Sequence, residues 1–217
     1  MSERTPDGSR TSDYDYELPE GRIARHPAAR RDGSRLLVVD RGTDRIEDRR
    51  FPDLIEWFEP GDLLVVNESR VLPARLRARR ATGGRVEILL LSPDEAGSAT
   101  GAEGEADATG ATWTALIRPG RKLKAGEVVE VDPPGVAPES GRPVAPGPLR
   151  VTIVDDPHDE GVRRVRFEPG VDVVAALATF GEIPLPPYLE RDTEPEDSER
   201  YQTVYARVPG SVAAPTA

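Results

Sequence analysis

The stretch ARLRARRATGGRVEILLLS, residues 74–92, decides the fold of this chain. In its first part, ARLRARR, Ala and Leu alternate with arginine, which is the period of a β-strand with one apolar and one basic face. Thr-Gly-Gly, residues 82–84, is a turn signal and leads into the apolar run RVEILLL. The stretch therefore predicts an antiparallel β-hairpin.

Four more short strands are predicted after the hairpin. Their sequences are TWTALIR, EVVEV, LRVTIVD and VRRVRFE. Six short strands between residues 72 and 168 predict a small closed or nearly closed β-barrel. Within this region, residues 93–110 are rich in Ala, Gly and acid, and residues 132–148 are rich in Pro, so we predict two mobile loops there.

The sequences on either side of the barrel mix strands and helices. Upstream, SRLLVVD and RIEDRRF predict a hairpin, FPDLIEWFEPGD a short helix, and LLVVN a buried strand. Downstream, VDVVAALATFG predicts a helix that stops at its glycine, and EIPLPPYLERD an extended segment. The predicted fold class is an α/β domain with an inserted all-β six-stranded barrel. Residues 1–71 form the first part of the α/β domain, residues 72–168 the barrel, and residues 169–217 the return to the α/β domain.

Composition excludes several kinds of chemistry. The chain has no cysteine and therefore no disulfide, thiolate metal site or cysteine nucleophile. The phosphate-loop, dinucleotide, zinc-protease and serine-hydrolase motifs are missing too. His26 and His158 lie in stretches that favour a surface or structural role over catalysis or metal binding. No apolar run approaches the roughly 20 residues of a membrane helix, so we expect a soluble, cytoplasmic protein.

The net charge is −10, but it is unevenly distributed. Six arginines and no acid lie between Arg70 and Arg85, and residues 111–126 hold four basic groups and no acid. Because salt screens charges beyond about 10 Å, such local basic stripes can attract a polyanion to an acidic protein. Coding bias in a GC-rich genome is an equally good explanation of the arginines.

Asn67 is the only asparagine, and it lies where a predicted strand ends. The segment NESRVLPAR offers an amide, a hydroxyl and two arginines, which suit a carboxylate, a phosphate or a base edge. A turn with solvated arginines is the competing interpretation. Three tyrosines lie in the motifs IPLPPYL and ERYQTVYA, namely Tyr188, Tyr201 and Tyr205. Their rings can stack on a base or pack against prolines.

Several motifs in order resemble one enzyme family. They are ELPEGRIARHP, SRLLVVD, PGDLLVVNESRVLPARL, GGRVEILLL, GEIPLPPYL and ERYQTVYARVPGSVAAPTA. Together they resemble the S-adenosylmethionine:tRNA ribosyltransferase-isomerases of the queuosine pathway, over nearly the whole chain. Family members continue beyond AAPTA, so we expect this chain to be a fragment.

The resemblance implies an α/β domain with an inserted six-stranded barrel, and it implies a reaction. The ribosyl group of S-adenosylmethionine is transferred and isomerised onto the aminomethyl group of a 7-deazaguanine in tRNA, which gives epoxyqueuosine and releases adenine and methionine. S-adenosylmethionine is then a consumed donor, and no cofactor or metal is expected. The expected partners are tRNA and S-adenosylmethionine, with no membrane, and the protein is expected to be a monomer.

The resemblance also suggests roles for individual residues, although it names no catalytic base. The expected substrate-binding residues are Asn67, Arg70, Arg75, Tyr188, Tyr201, Gln202, Tyr205 and Thr216. The expected contacts to the tRNA backbone are Arg77, Arg79, Arg80, Arg85, Arg121, Lys122 and Lys124. Two alternatives remain open: a non-catalytic RNA-binding module, and an inactive truncated product with exposed apolar sheet edges.

Overall fold

The computed structural model describes residues 8–94, 110–133, 148–156 and 161–212, with the side chain of Arg121 excepted. Most of both predicted mobile loops, and also His158 and Thr216, lie outside the described residues. The chain divides into two compact units. Unit 1 comprises Met1–Asp62 and Pro186–Arg191, and unit 2 comprises Leu63–Leu185 and Asp192–Ala217.

Unit 2 contains a closed barrel of six antiparallel strands, which confirms the predicted barrel. The strands are β4 (Arg75–Arg80), β5 (Arg85–Pro93), β6 (Thr112–Arg118), β7 (Val128–Val131), β8 (Leu149–Ile153) and β9 (Val162–Phe167). The spatial order is β4-β5-β6-β9-β8-β7, and β4 pairs with β7 to close the ring.

The predicted hairpin is the β4–β5 pair. Arg75 pairs with Leu89 and Arg79 with Arg85, and the turn between them is closed by the Gly83 amide, which donates to Arg80 O at 2.8 Å. Gly83 has a φ of +83°, a conformation that favours glycine. A slip of one residue would turn the arginines of β4 into the core, so the alternating pattern also fixes the register.

Side chains from every second position fill the barrel. On β4, Leu76 and Ala78 are buried, while Arg77 and Arg79 reach outward. The same alternation buries Ile88 on β5 and Val165 on β9, each with no exposed surface. A barrel of this size is therefore a packed core with no channel.

Helix α1 (Val173–Phe180) confirms the predicted helix and packs on the barrel core through three buried side chains, Val173, Leu177 and Phe180. Its first turn is capped by Asp172, whose Oδ1 accepts a hydrogen bond from the Ala175 amide at 3.1 Å. The helix ends at Gly181, as predicted. A Cβ at this position would lie 1.8 Å from the carbonyl oxygen of Pro73, so a larger residue cannot follow the helix here.

Unit 1 contains the predicted upstream hairpin, β1 (Arg35–Asp40) paired with β2 (Arg45–Arg50). The predicted short helix is a 3₁₀ helix over Phe51–Trp57. No described residue of unit 1 is buried. A two-stranded sheet has too little surface to form a core, so unit 1 by itself gains little stability from burial.

The prediction of a buried strand at LLVVN is wrong. Residues 63–66 are not in a strand, and Leu63 and Val65 are 87% and 67% exposed. The strand of this region begins later, as β3 (Ser69–Val71), which pairs in parallel with β10 (Val208–Ser211). Since no described strand pairs with residues 63–66, their apolar side chains remain in solvent.

The described elements outside the barrel are two two-stranded sheets and short helices. The α/β domain and the boundaries at residues 71 and 168 therefore remain predictions. Within the described ranges, no helix is both long and apolar enough to span a bilayer.

We predict stability effects of very different size for two leucine substitutions in unit 2. Leu76→Ala should lower the free energy of unfolding by about 3 kcal/mol, because it leaves a cavity inside the barrel. Leu63→Ala should change it by less than about 0.5 kcal/mol, because this side chain is 87% exposed. Urea denaturation measures both, and similar losses in the two variants would contradict this description of the core.

Candidate functional site

The first group of predicted site residues surrounds β3. Asn67 accepts a hydrogen bond through Oδ1 from the Ser69 amide at 2.9 Å, which forms a local turn and sets the start of the strand. Its carbonyl oxygen accepts a hydrogen bond from the Thr203 hydroxyl at 2.7 Å. The amide oxygen of Asn67 is thus occupied by the backbone.

Gln202 is buried, and its amide group contacts the backbone of β3. Oε1 accepts a hydrogen bond from the Val71 amide at 2.7 Å, and Nε2 donates to the Val71 carbonyl at 3.0 Å. Both polar groups of Val71 are satisfied in this way, as they would be by a further strand. The structure therefore places Gln202 as a residue that positions β3.

Two exposed ion pairs flank the same strand. Arg70 Nη2 lies 2.6 Å from Glu199 Oε1, and Arg207 Nη2 lies 2.6 Å from Glu68 Oε2. Sequence reasoning missed Glu199 and Arg207, because they lie more than 120 residues away from their partners. Exposed pairs of this kind contribute little to stability, so an incoming anion can replace Glu199 on Arg70.

The predicted tyrosines are distributed over both units. Tyr201 follows helix α2 (Asp197–Arg200) and is half-buried, and Tyr205 is 51% exposed. The Thr203 hydroxyl accepts a hydrogen bond from the Tyr205 amide at 3.3 Å and also bonds to Asn67. Thr203, which the sequence analysis did not select, therefore links these two predicted residues. Tyr188 belongs to unit 1 and is exposed.

Arg75 has a different set of neighbours at the start of β4. Its Nη2 donates to the Leu185 carbonyl at 2.9 Å, and its backbone pairs with that of Glu182. Nε is buried without a hydrogen bond and lies 4.0 Å from Glu87 Oε1. These contacts connect the barrel to the segment after α1.

The predicted basic face of β4 is largely paired with carboxylates. Arg77 Nε bonds both oxygens of Glu182 at 2.9 Å, and Arg79 Nε bonds Asp132 Oδ2 at 2.7 Å. Arg80 bonds both oxygens of Glu127. The hydrogen bond to Glu182 raises the pKa of Arg77, and the one from Arg80 lowers the pKa of Glu127.

These carboxylates come from the residues on either side of β7 and from the segment after α1, so the absence of acid between Arg70 and Arg85 does not leave the face unpaired. The other predicted tRNA contacts differ. Within the described part of the chain, Arg85, Lys122 and Lys124 are exposed and form no ion pair. The tRNA contacts remain a prediction for all of these residues.

A cavity of about 230 Å³ lies in unit 1 and is lined by Arg30, Asp32, Gly33, Arg50 and Pro52. Arg30 and Asp32 form an exposed ion pair at 3.0 Å there. None of the predicted site residues lines this cavity, so we assign it no role.

Comparison with known proteins identifies close relatives. A family described as "Queuosine biosynthesis protein" matches residues 11–217. The chain is 44% identical over 215 residues to an S-adenosylmethionine:tRNA ribosyltransferase-isomerase of Syntrophomonas wolfei. This match covers 99% of this chain and 53% of the relative. It is 42% identical over 208 residues to the protein of that name from Thermotoga maritima, with 96% and 52% covered. The chain thus spans about half the length of the curated relatives that it matches.

Among solved structures, a crystal structure of an S-adenosylmethionine tRNA ribosyltransferase from Thermotoga maritima is 38% identical to the chain. The match covers 71% of this chain and 44% of that chain. Its TM-score is 0.26, which is too low to indicate a shared overall arrangement.

We predict that Gln202→Ala destabilises the β3–β10 pair. The variant leaves the amide and carbonyl of Val71 without these partners, which should cost about 2 kcal/mol. Val204→Ala is the matched control, because Val204 is 69% exposed and its truncation should cost less than about 0.5 kcal/mol. Hydrogen exchange of the Val71 amide and urea denaturation measure the effect. Equal protection of Val71 in the two variants would refute this role.

We also predict a pH-dependent contribution from the Arg80–Glu127 pair. Because the pKa of Glu127 is lowered in the folded state, its contribution is present above the usual carboxyl pKa of about 4.3 and is lost as pH falls through the lower folded value. Glu127→Gln should therefore cost up to about 1 kcal/mol at pH 7, and this difference should vanish in acid. Thermal unfolding of Glu127→Gln, Arg80→Gln and the double variant tests the coupling. Additive losses at pH 7 would contradict it.

Proposed function

Since this chain belongs to the family of queuosine biosynthesis proteins, we propose that the protein it represents is an S-adenosylmethionine:tRNA ribosyltransferase-isomerase. The observation that carries the proposal is the match to this family over residues 11–217, together with relatives of that name at 42–44% identity. Its substrates are S-adenosylmethionine and a tRNA that carries an aminomethyl-deazaguanine. We further propose that it acts as a monomer in the cytoplasm, where tRNA is modified, without a bound cofactor.

The proposed chemistry follows from the sulfonium group of the donor. The positive sulfur acidifies the adjacent 5′ methylene, so a base can remove a proton and form an ylide. The ylide electron pair breaks the bond between C4′ and the ring oxygen, this oxygen forms a carbonyl at C1′, and adenine leaves with a proton. The amine of the tRNA base then attacks C1′. Methionine leaves, and epoxyqueuosine remains in the tRNA. The protein contributes positioning and charge stabilisation to these steps.

Arg70 is the residue around β3 best suited to hold an anionic group. Its only ion-pair partner in the described part of the chain is Glu199, whose side chain is 74% exposed and easily displaced. A guanidinium can then bind a carboxylate or phosphate through two parallel hydrogen bonds. We propose that Arg70 binds the carboxylate of the methionine portion of the donor or a phosphate of the RNA.

Tyr205 is exposed, and its backbone amide donates a hydrogen bond to the Thr203 hydroxyl; we propose that its ring stacks on a base. Gln202 and Thr203 act indirectly, as positioning residues, since their side chains bond the backbone at Val71 and Asn67. Roles for Arg75, Tyr188, Tyr201 and Thr216 in binding the substrates remain proposals from the family resemblance.

The first experiment measures adenine release from S-adenosylmethionine in the presence of tRNA with the aminomethyl-deazaguanine. It compares the 217-residue chain with the same chain extended to the length of its relatives. Release by the extended chain supports the proposal. Absence of release from both, while both fold and bind tRNA, would refute it and favour a non-catalytic RNA-binding module.

A second prediction concerns Arg70 in the extended chain. Arg70→Ala should lower kcat/KM at least about tenfold, since a lost charge-assisted hydrogen bond is worth about 1.5–3 kcal/mol. Arg150→Ala is the matched control, because Arg150 also forms an exposed ion pair, with Glu130 at 3.2 Å on the outside of the barrel. Equal losses in the two variants would show that Arg70 has no specific role.

A further inference from the structure

One end of the barrel collects cations that form no ion pair within the described residues, although the charge of Lys124 contributes to the lowered pKa of Glu127. Because β5 and β6 are antiparallel, the start of β5 lies beside the end of β6, where Glu87 pairs with Arg118. The β4–β5 turn and the connection from β6 to β7 therefore lie at the same end. We call this the loop end of the barrel, and its cations on the β5–β6 side are Arg85, Arg118, Lys122 and Lys124.

The four cations are exposed and, among the described residues, form no ion pair. Arg85 lies two residues before Glu87 on the outer face, so it is the diagonal neighbour of Arg118, at about 7–8 Å between Cα atoms. Glu87 is the nearest acid by register, and its ion-pair contact is with Arg75. The arginines of β4 are held by carboxylates, whereas these cations are available to a ligand.

The connection between β6 and β7 is fixed from inside the barrel. Leu123 is buried in the core, while Lys122 and Lys124 on either side of it are exposed. The connection therefore cannot turn over without removing Leu123 from the core. Two lysines are presented to solvent in one fixed orientation as a result.

Arg163 holds the same connection by hydrogen bonds. It occupies an inward-facing position of β9 and has no exposed surface. Its Nη1 donates to the carbonyl oxygens of Gly120 and Leu123, both at 3.1 Å, and Nε donates to that of Asp155 at 2.8 Å. All these acceptors are neutral backbone carbonyls, so hydrogen bonds and no ion pair compensate the desolvation of the buried guanidinium.

An acidic corner borders the loop end on the other side. Asp155 accepts a charged hydrogen bond from Arg164 Nε at 2.7 Å, and Asp156 next to it is exposed. Because Arg164 neutralises Asp155, Asp156 is the acid that disfavours phosphate at this corner compared with the β5–β6 side.

We propose that Arg85, Arg118, Lys122 and Lys124 bind the phosphate backbone of the tRNA, and that Arg163 is the positioning residue that holds the connection in place for it. The proposal rests on the proposed function for the identity of the polyanion. It adds Arg118 to the expected contacts and Arg163 as a positioning residue, and it places binding at the loop end and away from the paired arginines of β4.

The test measures binding of an unmodified tRNA transcript to the 217-residue chain from 50 to 300 mM KCl. The variant Arg85→Gln/Arg118→Gln should bind more weakly, and the slope of log K against log[salt] should fall by about 1.5, since each phosphate contact contributes about 0.7–0.9. The control Arg49→Gln/Arg150→Gln removes the same charge from ion-paired arginines that do not belong to the loop end and should leave the slope unchanged. Equal slope changes in both double variants would overturn the proposal, as would a larger change in Arg77→Gln/Arg79→Gln.

Arg163 is tested by Arg163→Lys, which keeps the charge but cannot reach all the carbonyl groups. Amides of residues 120–124 should exchange faster and tRNA binding should weaken, while the Val151 and Val165 amides stay protected. Unchanged exchange in this connection would refute the positioning role. If Arg163→Lys unfolds the protein, Leu123→Ala is used instead, because it releases the same connection from the core. The positioning role then requires that Leu123→Ala weakens tRNA binding.

The binding test is independent of catalysis, because it uses neither S-adenosylmethionine nor the modified base. Adenine release by the extended chain with an unchanged slope in Arg85→Gln/Arg118→Gln would overturn the loop-end proposal alone. If the double variants change the salt slope as predicted but the extended chain releases no adenine, only the proposed function is overturned.

Discussion

Closure of the barrel is the constraint on which the rest of the structure depends. The pairing of β4 with β7, from Ala78 opposite Val131 to Arg80 opposite Val129, leaves none of the six strands with a free edge. Closure also fixes which side chains are inside, since only alternate residues fit the interior. The outward direction of Arg77 and Arg79 on β4 is a consequence of this ring.

The electrostatics of unit 2 follow from the same closure. Bringing β7 beside β4 places Glu127 and Asp132 next to Arg80 and Arg79, although these residues are about fifty positions apart in the chain. The face of β4 is therefore a set of neutralised pairs. Positive charge remains where strands end, at the loop end, where the buried Arg163 fixes the backbone.

The region around β3 depends on hydrogen bonds between side chains and backbone groups that lie far apart in the sequence. Gln202 completes the hydrogen bonds of Val71, and Thr203 joins Asn67 to the segment before β10. These side chains hold Arg70 and Tyr205 on a defined framework. In unit 1, by contrast, Leu37, Val39 and Ile46 are exposed, because the β1–β2 hairpin has no second layer within the unit.

Local sequence by itself determined the elements of the barrel and helix α1, because hydrophobic period and turn residues act over a few positions, as in residues 74–92. Several sequence motifs in a fixed order also identified the family. Only the tertiary structure decided the environment of the site residues: that Gln202 is buried on β3, that Arg77 meets Glu182, and that Leu63 and Val65 are exposed. Burial and ion pairing depend on which distant segments become neighbours, and no local pattern encodes that.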